Sequence, residues 1–298
     1  MEAPMRSLLL TLIFALLMTL MCTPALAQDR AALEKTYPWL SRVSAEQTGA
    51  LTTLERRFAA PKGFARVEAP AGSYAAYLRG LPVRTDRAET LLHTGDAVWM
   101  PSAAVIPIDI GKRDLHQCAD SVIRMYADWL WTQGRAEEAR FHFTSGDLAR
   151  WADWRAGKVL RVKGNKVEQV SAKAAPNTYS AYRSWLDVVF NYASTRSMHR
   201  DSVRIKDARE LRAGDFFLQG GSPGHVVMIL DIAQSPEGRR AALLGQGFLP
   251  AREFSVITNK HGRVLDEVWF VLPDAGGAAI PAPPWYNTFS MDDAWRFR

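Results

Sequence analysis

Cysteine is nearly absent from this 298-residue chain: it occurs twice, as Cys22 and Cys118. That scarcity excludes a disulfide-stapled fold. A second long apolar run is also missing. After Met21 nothing approaches the roughly 20 apolar residues that a membrane-spanning helix needs. No His-Glu-x-x-His run exists, and His93, His142, His199 and His261 show no metal-ligand spacing, so neither metal nor cofactor is expected. The loop Gly220-Gly221-Ser222-Pro223-Gly224 lacks the Gly-Lys-Ser/Thr of a phosphate-binding loop. Lys and Arg form no dense stripe interleaved with aromatics, and a nucleic-acid partner is not expected. No internal repeat is evident.

What is present begins with an export signal. Arg6 supplies a positive n-region, Leu8 to Met21 an apolar h-region, and Ala25-Leu26-Ala27 an Ala-x-Ala cleavage site. Residues 1–27 are therefore expected to be removed, leaving a periplasmic or secreted protein with no membrane span. Lipid attachment at Cys22 would need small residues before it, and the chain offers Thr19-Leu20-Met21. The hydrophobic fraction of 48% suits a globular protein with a sizeable core, and the net charge of +6 suits a basic surface facing anionic cell-envelope polymers. The oligomeric state is not written in the sequence.

Patterning divides the rest. Residues 28–60 read as a helical segment, with Pro38 ending the first helix early. Residues 61–273 read as one α+β domain. Within it, Gly72 to Pro82 predicts a short capped helix, while Ala97 to Met100 and Ala104 to Ile110 predict strands. Cys118 to Gln133 predicts an amphipathic helix with Val122, Met125 and Trp129 inward and Gly134 as its stop. Phe141 to Gly146 predicts a strand and turn, Leu148 to Trp154 a short helix, Lys158 to Val170 a hairpin about Gly164-Asn165, and Tyr179 to Ala193 a helix. Gly214 to Gln219, His225 to Ile232 and Ala241 to Gln246 predict consecutive strands, and Val268 to Leu272 a last one. Residues 274–298 are expected to be a C-terminal arm, loose at its Gly/Ala/Pro-rich start, Ala275 to Pro284.

Thiol-based acyl transfer needs a sulfur at a helix end where backbone N–H groups can hold an oxyanion, a histidine to move its proton, and a polar group to fix the imidazole. Cys118 opens a helix, and a helix N-terminus lowers a thiol pKa. His225 opens a strand after a Gly-rich loop. Gln246 ends the return strand, where a hairpin sets it beside His225, and its amide oxygen is expected to accept the Nδ1 proton. Other readings stand beside these. Cys118 could be an inert core thiol and His225 a satisfied strand histidine. Gln246 could be an edge residue, with Asp231 in its place. His116 competes as the base. Asp109 and Asp114 could cap the helix or pair with Arg113. Trp151 and Trp154 could stack on sugars, although core packing is the commoner use of a tryptophan.

The run Ala213-Gly214-Asp215-Phe216-Phe217, then Gly224-His225-Val226-Val227-Met228-Ile229 and a paired strand, resembles the core of NlpC-type and CHAP-type papain-like cysteine peptidases of bacterial cell walls. The likeness covers roughly Asp114 to Leu249. It implies a papain-like fold, a cysteine hydrolase, Cys118 as nucleophile, His225 as base and Gln246 as the third polar position. The implied substrate is an amide bond, expected in cell-wall peptide. The fold could equally serve a non-catalytic binding module of the cell envelope, or a thiol acyltransferase or lipid amidase. Two features depart from the pattern. The stretch between Cys118 and His225 is long, as if residues 147–207 were an insertion that rims or covers the cleft, and Gln117 stands where those families often carry Asp. Residues 50 to 272 also resemble an uncharacterised bacterial exported domain family, a likeness that names no substrate.

Overall fold

The computed structural model describes residues 29–258, 264–265, 268–273 and 279–298, with backbone alone at 264–265. The expected export signal and His261 lie outside them. Helix α1 (Arg30–Thr36) starts at an Asp29 cap and gives way to a 3-10 turn at Pro38, whose ring has no N–H to continue the helix. Arg30 ties the segment together by donating to the carbonyls of Leu40 and Val43, and Trp39 and Leu40 are fully buried. The segment is less helical than expected: Leu51–Thr53 is a strand paired with Pro82–Arg84. Helix α2 (Tyr74–Arg79) is capped by Ser73 and ends at Gly80.

Helix α3 (Cys118–Thr132) is the centre of the molecule. Its buried positions run nearly all round it, from Ser121, Val122 and Ile123 to Ala127, Asp128 and Leu130, as befits a helix packed on several sides. Two buried charges on it, Arg124 and Asp128, pair with each other at 2.6 Å and share the Tyr179 hydroxyl. Tyr179 opens helix α4 (Tyr179–Tyr192), which lies against α3.

Among the described residues, ten strands form one sheet. They are β1 (Ala65–Arg66), β2 (Ser102–Ile106), β3 (Ser202–Arg204), β4 (Phe216–Gln219), β5 (His225–Gln234), β6 (Arg240–Gln246), β7 (Phe254–Ile257), β8 (Val264–Leu265), β9 (Trp269–Val271) and β10 (Ala294–Phe297). The order is β3-β10-β4-β5-β6-β7-β2; β9 joins the start of β6, β8 joins β9, and β1 joins the far end of β5. Every pairing is antiparallel. Strand alternation splits the core. Val226, Met228 and Leu230 face α3, while Val227 and Ile229 meet Ile280, Trp285 and Phe289 from the C-terminal segment.

The hairpin predicted about Gly164-Asn165 is present, as Lys158–Lys163 against Lys166–Ser171. Four expectations need correction. The arm expected to start loosely is fixed from Ile280 on: Ile280–Pro281 pairs with Thr288–Phe289, and β10 inserts between β3 and β4. Its buried apolar positions outweigh its loop-like composition. Residues 148–150 form a strand against Arg140–His142, so the helix starts only at Trp151. The strand expected to reach Ile110 stops at Ile106, where pairing with β7 ends. Finally, the supposed insertion contains β3, a member of the main sheet.

Candidate active site

The end of β6 comes up against the first turn of α3. Gly247 makes this approach possible, since a Cβ there would collide with the Ser121 hydroxyl and crowd the Gln117 carbonyl oxygen. The same turn is locked from within: Gln117 N–H donates to Asp120 Oδ2 at 3.0 Å, and Ser121 Oγ donates to the Gln117 carbonyl. Asp114 sits just outside, accepting from the Gln117 side chain and from Ala251 N–H. The expected pairing of Asp109 or Asp114 with Arg113 is not what forms: Asp109 binds Arg42 and lies near Arg183, while Arg113 approaches Asp187.

Cys118 is the first residue of α3 and is 7% exposed. Backbone N–H groups of Cys118, Ala119 and Val226 all favour its thiolate. They do not prevail. Burial, with the nearby Asp120 carboxyl, pushes the thiol up to about 12. The expected lowering by the helix N-terminus is therefore overturned, because desolvation outweighs the helix field.

His225 is completely buried at the head of β5. Its Nε2 lies 2.6 Å from Gln246 Oε1, and Gln246 Nε2 donates to the Pro283 carbonyl at 2.7 Å. The second bond orients the amide, so that its oxygen faces the ring and the imidazole carries its proton on Nε2. The nitrogen expected to meet Gln246 was Nδ1; the structure assigns Nε2, because the return strand approaches the ring from that side. Nδ1 is left buried without a hydrogen-bond partner. Burial holds His225 down at about 4, with the Gln246 bond working in the opposite direction. Trp285 and Phe248 pack on the ring, each at 5.1 Å between centroids, and Trp285 Nε1 is anchored on Gln219.

His225 and Gln246 are thus hydrogen-bonded, and the thiol reaches β5 at Val226, one residue from His225. Among the described residues no hydrogen bond joins thiol and imidazole: the ring lies with Trp285, Phe248 and Phe289, and neither His225 nor Gln246 lines the cleft beside Cys118. The alternatives fall elsewhere. Asp231 is bound by Arg66 and Arg79 at the other end of β5. His116 also has both ring nitrogens buried without a hydrogen-bond partner, but it packs on Phe190 at 5.1 Å and has no side chain to orient it, and burial plus the Arg124 and Arg183 charges hold it neutral. Trp151 is fully buried among Tyr182 and Trp185, out of reach of a sugar.

A cleft of about 480 Å³ opens over the start of α3. Cys118, Ala119 and Asp120 form one wall, and the Gly221–Gly224 loop forms another. Phe190, Asn191 and Ser194 to Thr195 close the third, so the stretch expected to rim a cleft does border this one. Three contributors escaped sequence reasoning. Trp285 lay in the C-terminal arm, just past the stretch expected to be loose, Phe248 had no pattern around it, and Asp120 carried no signal beyond its place in the first turn of the helix.

Fold and site together define an α+β protein whose antiparallel sheet carries a buried histidine–glutamine pair beside a cysteine-headed helix. The chain belongs to the family described as Domain of unknown function (4846), which it matches over residues 54–296. That span takes in β10, in keeping with the integration of the C-terminal segment. No curated protein and no solved structure matches the chain.

Proposed function

We propose that this protein is an exported cysteine hydrolase of papain-like type that cleaves an amide bond, with cell-wall peptide as the substrate class. The reading rests above all on the bare Nδ1 of His225, held in a fixed tautomer by Gln246 and one residue from the backbone that meets the Cys118 thiol. A satisfied structural histidine would have both nitrogens engaged.

In this reading the Cys118 thiol gives its proton to Nδ1 as sulfur attacks the carbonyl carbon. The oxyanion that forms is stabilised by the Cys118 N–H and a neighbouring amide. The C–N bond breaks, the imidazolium protonates the leaving amine, and a thioester remains. Water, deprotonated by the same nitrogen, releases the acid and restores the thiol. A thiol near 12 and an imidazole near 4 mean that the resting pair is neutral, so the proton moves during attack and not before it.

The burial of Cys118 also favours a second reading, a binding module with an inert thiol. Iodoacetamide labelling of the folded protein at pH 7 separates the two. For the hydrolase, Cys118 reacts at least about tenfold faster than in His225→Ala, the difference that general-base assistance supplies. Protection of both proteins until denaturant unfolds them would overturn the hydrolase and leave the binding module.

A further inference from the structure

Asp120 carries a feature that helix capping does not require. One carboxyl oxygen, Oδ2, is used by the Gln117 amide; the other, Oδ1, is buried with no hydrogen-bond partner. The residue is 6% exposed and lines the cleft two positions from Cys118. Leaving a carboxyl oxygen buried and unmet is costly, so a polar atom that persists in this condition is a place where a ligand atom can be gained. The surroundings say which kind. The cleft wall holds Asp114 and Asp120 and no Lys or Arg, on a protein whose formal net charge is +6. The cation that acts on Asp120, weakly, is Arg183, which engages Asp187 and stacks on Phe190 without bonding Asp120. An anion has nothing to bind there; a hydrogen-bond donor with a positive charge does.

We propose that Asp120 is a substrate-recognition residue that takes a primary ammonium group on its free Oδ1, selecting substrates with an unblocked amine close to the scissile carbonyl. This rests on the hydrolase reading for the reacting atom, but the binding site stands without it. Asp120 adjoins Cys118 closely enough to act on its thiol, so an ammonium on Oδ1 sets the amine within a few bonds of the carbon under attack. The substrate is then an amide whose acyl part carries a free amine, such as an amino-terminal residue or a diamino acid. The ammonium also offsets the charge that opposes thiolate formation, so a correct substrate eases the first step of its own cleavage. Burial pushes Asp120 up to about 7, so binding below neutral pH must expel a proton from the carboxyl.

The test uses the full chain carrying Cys118→Ala, which binds without turnover, and L-alanine amide with its N-acetyl counterpart as probes. Calorimetry at pH 6 is expected to show binding of the free amine with proton release, seen as a dependence on buffer ionisation enthalpy, and no binding of the acetylated form. Adding Asp120→Asn, which keeps an acceptor for Gln117 N–H, should weaken the free amine at least tenfold while leaving the melting curve cooperative. Equal binding of both probes, no binding of either, or an unchanged affinity in the Asp120→Asn protein would each overturn the proposal. Amine-dependent binding by a protein that hydrolyses no amide would remove the hydrolase reading and keep the amine site. Hydrolysis indifferent to acetylation would do the reverse.

Discussion

At one end of β5, Asp231 sits where the register with β6 shifts and is fully met: Arg66 donates at 2.7 Å, Arg79 at 2.7 and 3.1 Å, and the Ile232 amide at 2.9 Å. At the other end, His225 is just as buried and has one partner for two nitrogens. Helix α3 repeats the contrast. Arg124 and Asp128 in its interior satisfy each other, while Asp120 in its first turn is buried with one carboxyl oxygen unmet. Both elements are saturated where they hold the fold and carry an unmet polar atom near their heads, Asp120 on the cleft wall and His225 behind it, against Trp285 and Phe248. A buried polar group left incomplete is costly; these two stand on the two elements that meet the Cys118 thiol, α3 at Ala119 and β5 at Val226.

The contrast is broken most severely at Asp231. Asp231→Ala would leave two partly buried arginines with no counter-charge, and the expected loss of stability is about 3 kcal/mol, read from the urea midpoint. The labelling of Cys118 in the protein that remains folded should not change. If Asp231→Ala altered labelling and left stability intact, the division between a structural and a chemical end of β5 would be wrong.

Gln246→Ala comes next. It removes the partner that fixes the imidazole, and the freed ring can turn or swap its tautomer. Turnover of any substrate found should fall by about 100-fold through misplacement of Nδ1, and the melting temperature should move far less than for Asp231→Ala. Gln246→Glu should recover part of the activity, since a carboxylate oxygen also accepts from Nε2. An equal loss of stability for Gln246→Ala and Asp231→Ala would make the pair a packing device.

How far all this was legible depends on range. The period of α3, the Gly164-Asn165 hairpin and the return of Gln246 beside His225 are local consequences of 3.6- and 2-residue repeats and of a short turn, and they could be read directly. The covering of His225 by Trp285 could not, nor could the insertion of β10 between β3 and β4. Both depend on contacts across the chain, and the residues leading into them are Gly, Ala and Pro, which imitate a loose tail. The ionisation of Cys118 was misread for another reason. A helix N-terminus is visible in a sequence, whereas the depth to which its first residue sinks is not. The nitrogen facing Gln246 likewise depends on the direction from which the return strand meets the ring.

The smallest effect sharpens the contrast through pH. Burial lowers His225 from 6.5 to about 4. The folded state therefore binds this proton less readily than the unfolded state. Its neutral form contributes stability that is complete above pH 6.5 and is lost as pH falls through that value towards 4. Replacing His225 with Gln removes the titration. Between pH 7 and pH 4.5 the wild type should lose about 2 kcal/mol more than His225→Gln, measured as the difference of two urea midpoints at each pH. The same shift sets the acid limb of kcat near pH 4, because in the substrate complex the base stays unprotonated down to there, instead of near the 6.5 of an exposed histidine; kcat/KM falls earlier, with the Asp120 carboxyl near 7. Asp231→Asn, at the saturated end, should leave that limb where it is. An acid limb at 6.5 with no differential loss of stability would show His225 to be solvated in solution, and the unsaturated end of β5 would then owe its free nitrogen to water rather than to a substrate.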